Sequence, residues 1–170
     1  TIVDYGLGNI ISAQKSFLKV FQENNLEAEA CISNDPKEID SSTHIVLPGQ
    51  GAFESCIAGL KNISGMISTL EENVIKKNKP FLGICVGMQL LAEVGFENGR
   101  HQGLGWIKGA IKKLEVKNLK LPHTGWNNVG IVNNSSKMKF NQENQDFYFV
   151  HSYFFECEDN DNIIGTTNYG

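Results

Sequence analysis

Phe81-Leu82-Gly83-Ile84-Cys85-Val86-Gly87-Met88-Gln89-Leu90-Leu91 is the stretch on which the fold turns. Phe81 to Ile84 is an apolar run of strand length, and Val86 to Val94 carries a helical pattern, so the spacing predicts strand, sharp turn, helix. A cysteine bracketed by Gly83 and Gly87 at that turn is the thiol form of the G-x-S-x-G nucleophile elbow. A nucleophile held there projects beyond the carboxyl end of its strand. Its backbone is forced into a strained conformation, and its neighbours must be small. The start of the following helix favours thiolate over thiol, and the N–H of Val86 points toward the space where an oxyanion forms. A buried cysteine at an ordinary strand-to-helix turn is the competing reading, and the motif alone does not separate the two.

Working back toward the start, the same alternation repeats. Ile2-Val3 is a short strand entering the loop Tyr5-Gly6-Leu7-Gly8, and Asn9 is placed to cap a helix whose apolar residues are Ile10, Ala13, Phe17, Leu18 and Phe21. Ala28, Ala30 and Ile32 alternate with Glu27, Glu29 and Cys31 as in an edge strand, and Asn34-Asp35-Pro36 is a turn. His44 to Leu47 is a strand stopped by Pro48-Gly49. Phe53 to Leu60 is a short helix, and Met66, Ile67, Leu70, Val74 and Ile75 mark another. Four strand-helix repeats predict an α/β fold with a flavodoxin-like, doubly wound, mostly parallel sheet.

After Gly105 no helical period is convincing. Short strand candidates are Trp106-Ile107, Ile111 to Val116, Val129 to Val132, Phe147 to Val150, Tyr153 to Phe155 and Ile163-Ile164, with a turn at Asn133-Asn134-Ser135-Ser136. They are expected to be antiparallel and to extend or cap the sheet. No linker or repeat interrupts the chain, so residues 1–170 are expected to form one domain. A doubly wound domain usually closes with a helix on the sheet. None accompanies Thr167-Asn168-Tyr169-Gly170, so the C-terminal part is expected to be missing.

Fifteen Lys+Arg against nineteen Asp+Glu give a net charge of −4, which offers no basic excess to grip nucleic acid. Phe81 to Ala92 is too short for a bilayer, which needs about 20 apolar residues. Thr1-Ile2-Val3-Asp4 shows no basic n-region of a secretory signal. Cys31, Cys56, Cys85 and Cys157 form no close pair, and His44, His101, His123 and His151 are scattered. A cytoplasmic protein with reduced thiols, no structural metal and no cofactor is expected.

A second signal is Pro48-Gly49-Gln50-Gly51, at the end of the preceding strand. Adjacent strand ends share one crevice in a doubly wound sheet, and glycines on both sides of Gln50 let a peptide N–H turn into it, as an oxyanion hole requires. The Gly6-Leu7-Gly8 loop fails as a dinucleotide fingerprint, because Ile11 holds the third glycine position. His123 or His151 could act as base to Cys85, or each could simply hold a structural hydrogen bond.

At Pro48-Gly49-Gln50-Gly51-Ala52-Phe53 and at Gly83 to Leu91 the chain resembles the class I (triad) glutamine amidotransferases. It is similar, more narrowly, to the glutaminase subunits of imidazole glycerol phosphate synthase. The likeness includes Asp4 to Asn9, Gly103-Leu104-Gly105, Pro122-His123-Thr124-Gly125-Trp126-Asn127, Tyr148 to Tyr153 and Thr166-Thr167. The resemblance implies Cys85 as the nucleophile that forms a γ-glutamyl thioester with glutamine. It implies the backbone N–H groups of Val86 and Gln50 as the oxyanion hole, where the family more often has Val at position 50. It implies Gln89 and Glu97 on the substrate's amino-acid end, joined there by main-chain groups of Ser152 and Tyr153. It also implies a heterodimer with a (βα)8-barrel cyclase, contacted by Asn9 and Trp126, which uses the ammonia to make imidazole glycerol phosphate and AICAR in histidine biosynthesis. The family's base and its carboxylate partner lie in a late His-Pro-Glu motif, which does not occur in this chain, so residues 1–170 are expected to be inactive alone. Three other readings stay open: a paralogue feeding ammonia to a sugar amidotransferase, a partner-binding module without catalysis, and a thiol hydrolase of a neighbouring branch. The last leaves Pro122 to Asn127 unexplained.

Overall fold

The paired strand ends beneath Cys85 organise the first half of the molecule. The computed structural model describes residues 1–132 and 144–170. The turn expected at Asn133 to Ser136 lies outside the described residues. Where one domain is expected from the sequence, packing gathers the chain into two compact units, Thr1–Leu91 and Ala92–Gly170.

In the first unit, β1 (Ile2–Val3), β2 (Ile32–Ser33), β3 (Ile45–Gly49) and β4 (Phe81–Cys85) form one sheet in the order β2-β1-β3-β4, with every pair parallel. That is the flavodoxin-like order. Parallel neighbours require crossovers, and here helices supply them. Helix α1 (Ile10–Glu23) is capped by Asn9, whose side chain accepts the Ser12 N–H. Helix α2 (Pro36–Ser41) starts at a proline, with Asp35 accepting the Lys37 N–H. Helix α3 (Phe53–Asn62) buries Phe53, Cys56, Ile57 and Leu60. Helix α4 (Met66–Leu70) buries Met66 and Leu70 and runs on into a π-helical turn over Glu71–Lys76. Ile2, Val3, Ile45, Leu47, Phe53, Leu60 and Leu90 are buried almost completely, and full burial of such a side chain is worth ~1.5–3 kcal/mol. In contrast, α1 has no fully buried residue, and Leu82 and Ile84 leave one face of β4 open to solvent.

Several expected elements differ: Trp106-Ile107 and Ile111 to Val116 fuse into one strand over Ile107–Lys113, and the strand expected at Ile163-Ile164 falls instead at Gly165–Thr166. The edge strand over Ala28 to Ile32 shrinks to Ile32–Ser33, because β1 offers only Ile2 and Val3 as partners. The helix expected over Val86 to Val94 stops early: α5 is Val86–Gln89, and β5 (Ala92–Gly95) follows after one turn. Residues 92–95 find strand partners on both sides, and tertiary pairing outweighs a weak local helical pattern.

In the second unit, β6 (His101–Gln102), β7 (Ile107–Lys113) and β10 (Tyr153–Cys157) join β5 in the order β10-β7-β5-β6. Only the β5–β7 pair is parallel. The third sheet is β11-β8-β9, all antiparallel, from β8 (His123–Ile131), β9 (Asn144–His151) and β11 (Gly165–Thr166). The second-half strands are therefore mostly antiparallel, as expected, but they pair among themselves instead of extending the first sheet. Among the described residues no helix is long and apolar enough to cross a membrane.

A methyl group at position 87 overlaps the Leu47 carbonyl oxygen, so Gly87→Ala must push α5 off β3. Overpacking of a close contact costs about 1–3 kcal/mol, and this contact is backbone on backbone, with no side chain able to yield. Gly87→Ala is expected at the upper end of that range. Urea unfolding of the two chains checks it, and an unshifted midpoint shows that α5 is free to move.

Candidate active site

The register of β3 and β4 sets Gly49 directly opposite Cys85 and Pro48 opposite Ile84. The loop Gln50-Gly51 therefore leaves its strand beside the thiol, as the shared-crevice argument requires. Cys85 itself has φ 54° and ψ −117°. A non-glycine residue in such a region is held there only by its surroundings, at a cost of ~1–3 kcal/mol. Those surroundings are visible. A Cβ on Gly83 falls 2.7 Å from the Met88 Cα, and one on Gly49 falls 2.5 Å from the Gly87 nitrogen. The helix is thus packed into both strand ends, and the turn between β4 and α5 has no slack.

Cys85 is exposed, while Val86 and Gly87 are buried behind it in the first turn of α5. Gln89, at the end of α5, is buried to 9% exposure, and Gln50 is exposed. A groove of about 580 Å³ opens at the thiol, lined among others by Asn9, Ser12, Phe17, Gln50, Ile84 and Cys85. So Cys85, Gln50, Val86, Gln89 and Asn9 share one end of the first unit.

Two buried side chains lie under the loop. The Tyr5 hydroxyl donates to the Pro48 carbonyl at 2.7 Å, and the Cys56 thiol donates to the Gln50 carbonyl at 3.5 Å. Burial raises Tyr5 well above the ordinary range, so it stays a neutral donor. Sequence reasoning missed both residues. Tyr5 stands in a glycine loop and Cys56 on a helical apolar face, and neither position carries a local sign of contact with residues 48–50.

The other candidates belong to the second unit. Glu97 is half-buried in the turn after β5. The Ser152 carbonyl accepts the Leu114 N–H, and the Tyr153 carbonyl accepts from His151 Nδ1. Trp126 is 73% exposed on β8, with its ring edge against Tyr148 of β9 at 5.7 Å between centroids. It is therefore not a core residue.

The two candidate bases bind each other. His123 Nδ1 lies 2.9 Å from His151 Nε2, and the Asn127 amide nitrogen lies 3.2 Å from His123 Nε2. Tyr153 O can only accept, so His151 Nδ1 carries a proton. Its Nε2 then accepts from His123 Nδ1, and His123 Nε2 accepts from Asn127. His123 is stacked between Phe149 and Tyr169 at centroid distances of 4.7 and 3.9 Å. All four ring nitrogens are used inside one unit, which is the arrangement of a structural network.

The model of the family Glutamine amidotransferase class-I matches residues 3–170. The chain belongs to this family. The match runs through both units. Among its relatives, the imidazole glycerol phosphate synthase subunit HisH of Pelagibacter ubique is 44% identical over 172 residues, 99% of this chain and 81% of that protein. The corresponding subunit of Zymomonas mobilis is 43% identical over 173 residues, 99% of this chain and 78% of that protein. Among solved structures, a glutamine amidotransferase from Thermotoga maritima superposes with a TM-score of 0.62 at 21% identity, covering 92% of this chain and 61% of that one. At that identity it shares the fold, and the chain spans about three-fifths of its length.

In this amidotransferase His123 has a titration signature. Burial, and then His151, lower His123 below the ordinary value of 6.5. The unfolded chain takes up the proton first, so the network's stabilisation is complete above about pH 6.5 and is lost as pH falls below it. The denaturation midpoint is expected to be lower at pH 5.5 than at pH 7.5, and His123→Gln to flatten the difference. Equal midpoints for the unaltered chain at the two pH values count against the network.

Proposed function

We propose that this amidotransferase is the glutaminase component of an imidazole glycerol phosphate synthase. The observation that carries the proposal is Cys85 in a strained turn, exposed, and in register with the start of the Gly49-Gln50-Gly51 loop. In the proposed reaction the Cys85 thiolate attacks the side-chain amide carbon of glutamine. The carbonyl π pair moves onto oxygen, where the N–H groups of Val86 and Gln50 stabilise it; one such donor is typically worth ~10²–10³ in rate. Collapse expels ammonia with a proton and leaves a γ-glutamyl thioester, which water hydrolyses to glutamate. Gln89 and Glu97 are assigned to the amino-acid end of the substrate, Glu97 as a carboxylate suited to its ammonium. The carbonyls of Ser152 and Tyr153 are already engaged, which narrows their part to their remaining main-chain groups.

The proton that leaves with ammonia needs a positioned acid, worth ~10²–10⁴ in rate. His123 and His151 have no ring nitrogen to spare for it. The base of the triad is assigned instead to a His-Pro-Glu segment of the kind the family carries. Residues 1–170 alone are therefore expected to release negligible ammonia from glutamine, and a form of the chain carrying that segment to release it. Limiting iodoacetamide is expected to modify Cys85 first. Cys56 is buried, and burial together with Asp159 pushes the Cys157 thiol up. Mass mapping that finds Cys31 ahead of Cys85, or robust turnover by residues 1–170, counts against these assignments.

The ammonia acceptor is assigned to a (βα)8-barrel cyclase bound in a cytoplasmic heterodimer, since the relatives at 43–44% identity bear the name of that synthase's subunit. Ammonia released to water at neutral pH is mostly protonated, and a closed route to a second site avoids that loss. Trp126, Tyr148 and Val150 stand exposed on one face of the β8–β9 ladder, an apolar surface with the residue types favoured at interface centres. Asn9 is exposed beside the thiol groove. Trp126→Ala is expected to weaken cyclase binding by about thirtyfold or more, since a central interface aromatic typically contributes ~2 kcal/mol or more. The far-UV circular-dichroism spectrum should not change, because the ring is mostly in solvent and outside the core. Unchanged binding and unchanged coupling of glutamine hydrolysis to product would remove Trp126 from the interface.

A further inference from the structure

The loop beside Cys85 contains three successive peptide units. The Pro48–Gly49 unit carries the Pro48 carbonyl, the Gly49–Gln50 unit carries the Gln50 N–H, and the Gln50–Gly51 unit carries the Gln50 carbonyl. The first is held by the Tyr5 hydroxyl and the third by the Cys56 thiol. Both donors are buried, Tyr5 to 5% exposure and Cys56 completely, and Gly59 of α3 leaves room for the Tyr5 ring: a Cβ there falls 2.9 Å from it. A peptide unit rotates about the line joining its two Cα atoms, with compensating changes in ψ of the first residue and φ of the second. When the units on both sides are held, those two Cα atoms stay put, and turning the middle unit between them strains the N–Cα–C angles at Gly49 and Gln50, so only a narrow set of orientations of the Gln50 N–H remains. Gly49 has no Cβ to oppose the change. A Cβ at this position is excluded anyway, 2.9 Å from the Tyr5 hydroxyl oxygen and 2.5 Å from the Gly87 nitrogen.

From this geometry we infer that Tyr5 and Cys56 are positioning residues of the glutaminase reaction: they clasp the peptides on either side of Gly49–Gln50 and so aim the Gln50 N–H at the oxyanion. The inference rests on the glutaminase reading above. Neither side chain touches substrate. Each acts through a carbonyl of the loop. Without a clasp the Gln50 N–H samples many directions, and the oxyanion loses part of a preorganised donor.

The test uses two reagents on residues 1–170, neither of which needs a proton donor for its leaving group. A glutamine-like chloromethyl ketone alkylates Cys85: the S–C bond forms, the C–Cl bond breaks, chloride leaves, and negative charge builds on the ketone oxygen in the transition state. A dipyridyl disulfide reacts with the same thiolate: a new S–S bond forms, the old one breaks, and thiopyridone leaves with no carbonyl involved. Tyr5→Phe and Cys56→Ala are each expected to slow the ketone reaction about tenfold, a part of the ~10²–10³ for outright loss of a donor. The disulfide reaction should stay within about twofold, since the thiolate is untouched. Cys56→Ser keeps a donor and is expected to recover most of the rate lost in Cys56→Ala. Unchanged ketone rates in Tyr5→Phe and Cys56→Ala overturn the clasp. So does an equal fall with both reagents, which marks general loosening. If the unaltered chain reacts with the ketone no faster than free cysteine does, the glutaminase reading falls and the clasp with it.

Discussion

Backbone packed directly on backbone is the constraint from which the site follows. The Cα of Gly87 lies against the Leu47 carbonyl and the Cα of Gly49 against the Gly87 nitrogen, so α5 begins in contact with the end of β3. No side chain fits between them. With α5 pressed that close, the chain leaving β4 has room for a single residue in which to reverse, and that residue takes a backbone conformation that L-residues avoid. The strain is maintained by the buried core of the first unit, where Leu47, Phe53, Leu60 and Leu90 are shielded from water. Stability is thus exchanged for a thiol held outside the sheet, in contact with solvent and beside a glycine-rich loop.

That loop is supported from below by polar groups where an apolar core would be simpler. A buried tyrosine hydroxyl and a buried thiol each spend a hydrogen bond on a loop carbonyl. Buried polar atoms are costly when unpaired and directional when paired. The pairing gives the loop a defined backbone path without filling the crevice in front of it. The groove at Cys85 stays open, with polar atoms at its rim and apolar side chains of α1 and β4 along its wall.

The second unit solves a different problem. Its sheets carry His123 and His151 at directly opposed positions of β8 and β9, and the side chains join β8, β9 and β10 through one directed line of hydrogen bonds that starts at Asn127, which also donates to the Asn168 carbonyl, and ends on the Tyr153 carbonyl. Aromatic rings on both faces of His123 exclude water and keep it neutral. On the opposite face of the same ladder, Trp126 and Tyr148 stand in solvent. The period-2 alternation of a strand places these two roles one residue apart. A single segment, Pro122 to Asn127, thereby both ties sheets together and presents an apolar surface.

Much of this was legible in the residues themselves. The Gly83 to Gly87 spacing announced the elbow, the alternation of apolar runs with helical patterns announced a parallel sheet, and the loop at Pro48 announced the neighbour of the thiol, because each of these signals is local. The early end of α5 was not legible: the helical pattern runs from Val86 to Val94, and only pairing with β6 and β7 makes Ala92 to Gly95 a strand. The fate of His123 and His151 was also open, since 28 residues separate two rings that meet at 2.9 Å. Tyr5 and Cys56 gave no local sign at all, because their partners lie on other elements. Amino-acid order by itself determined which groups can do chemistry and which segments can form strands or helices, since backbone stereochemistry and apolar periodicity act over a few residues. Only the tertiary structure decided which of those groups are joined, because hydrogen bonds and close contacts between distant segments depend on the register of strands that no local pattern specifies.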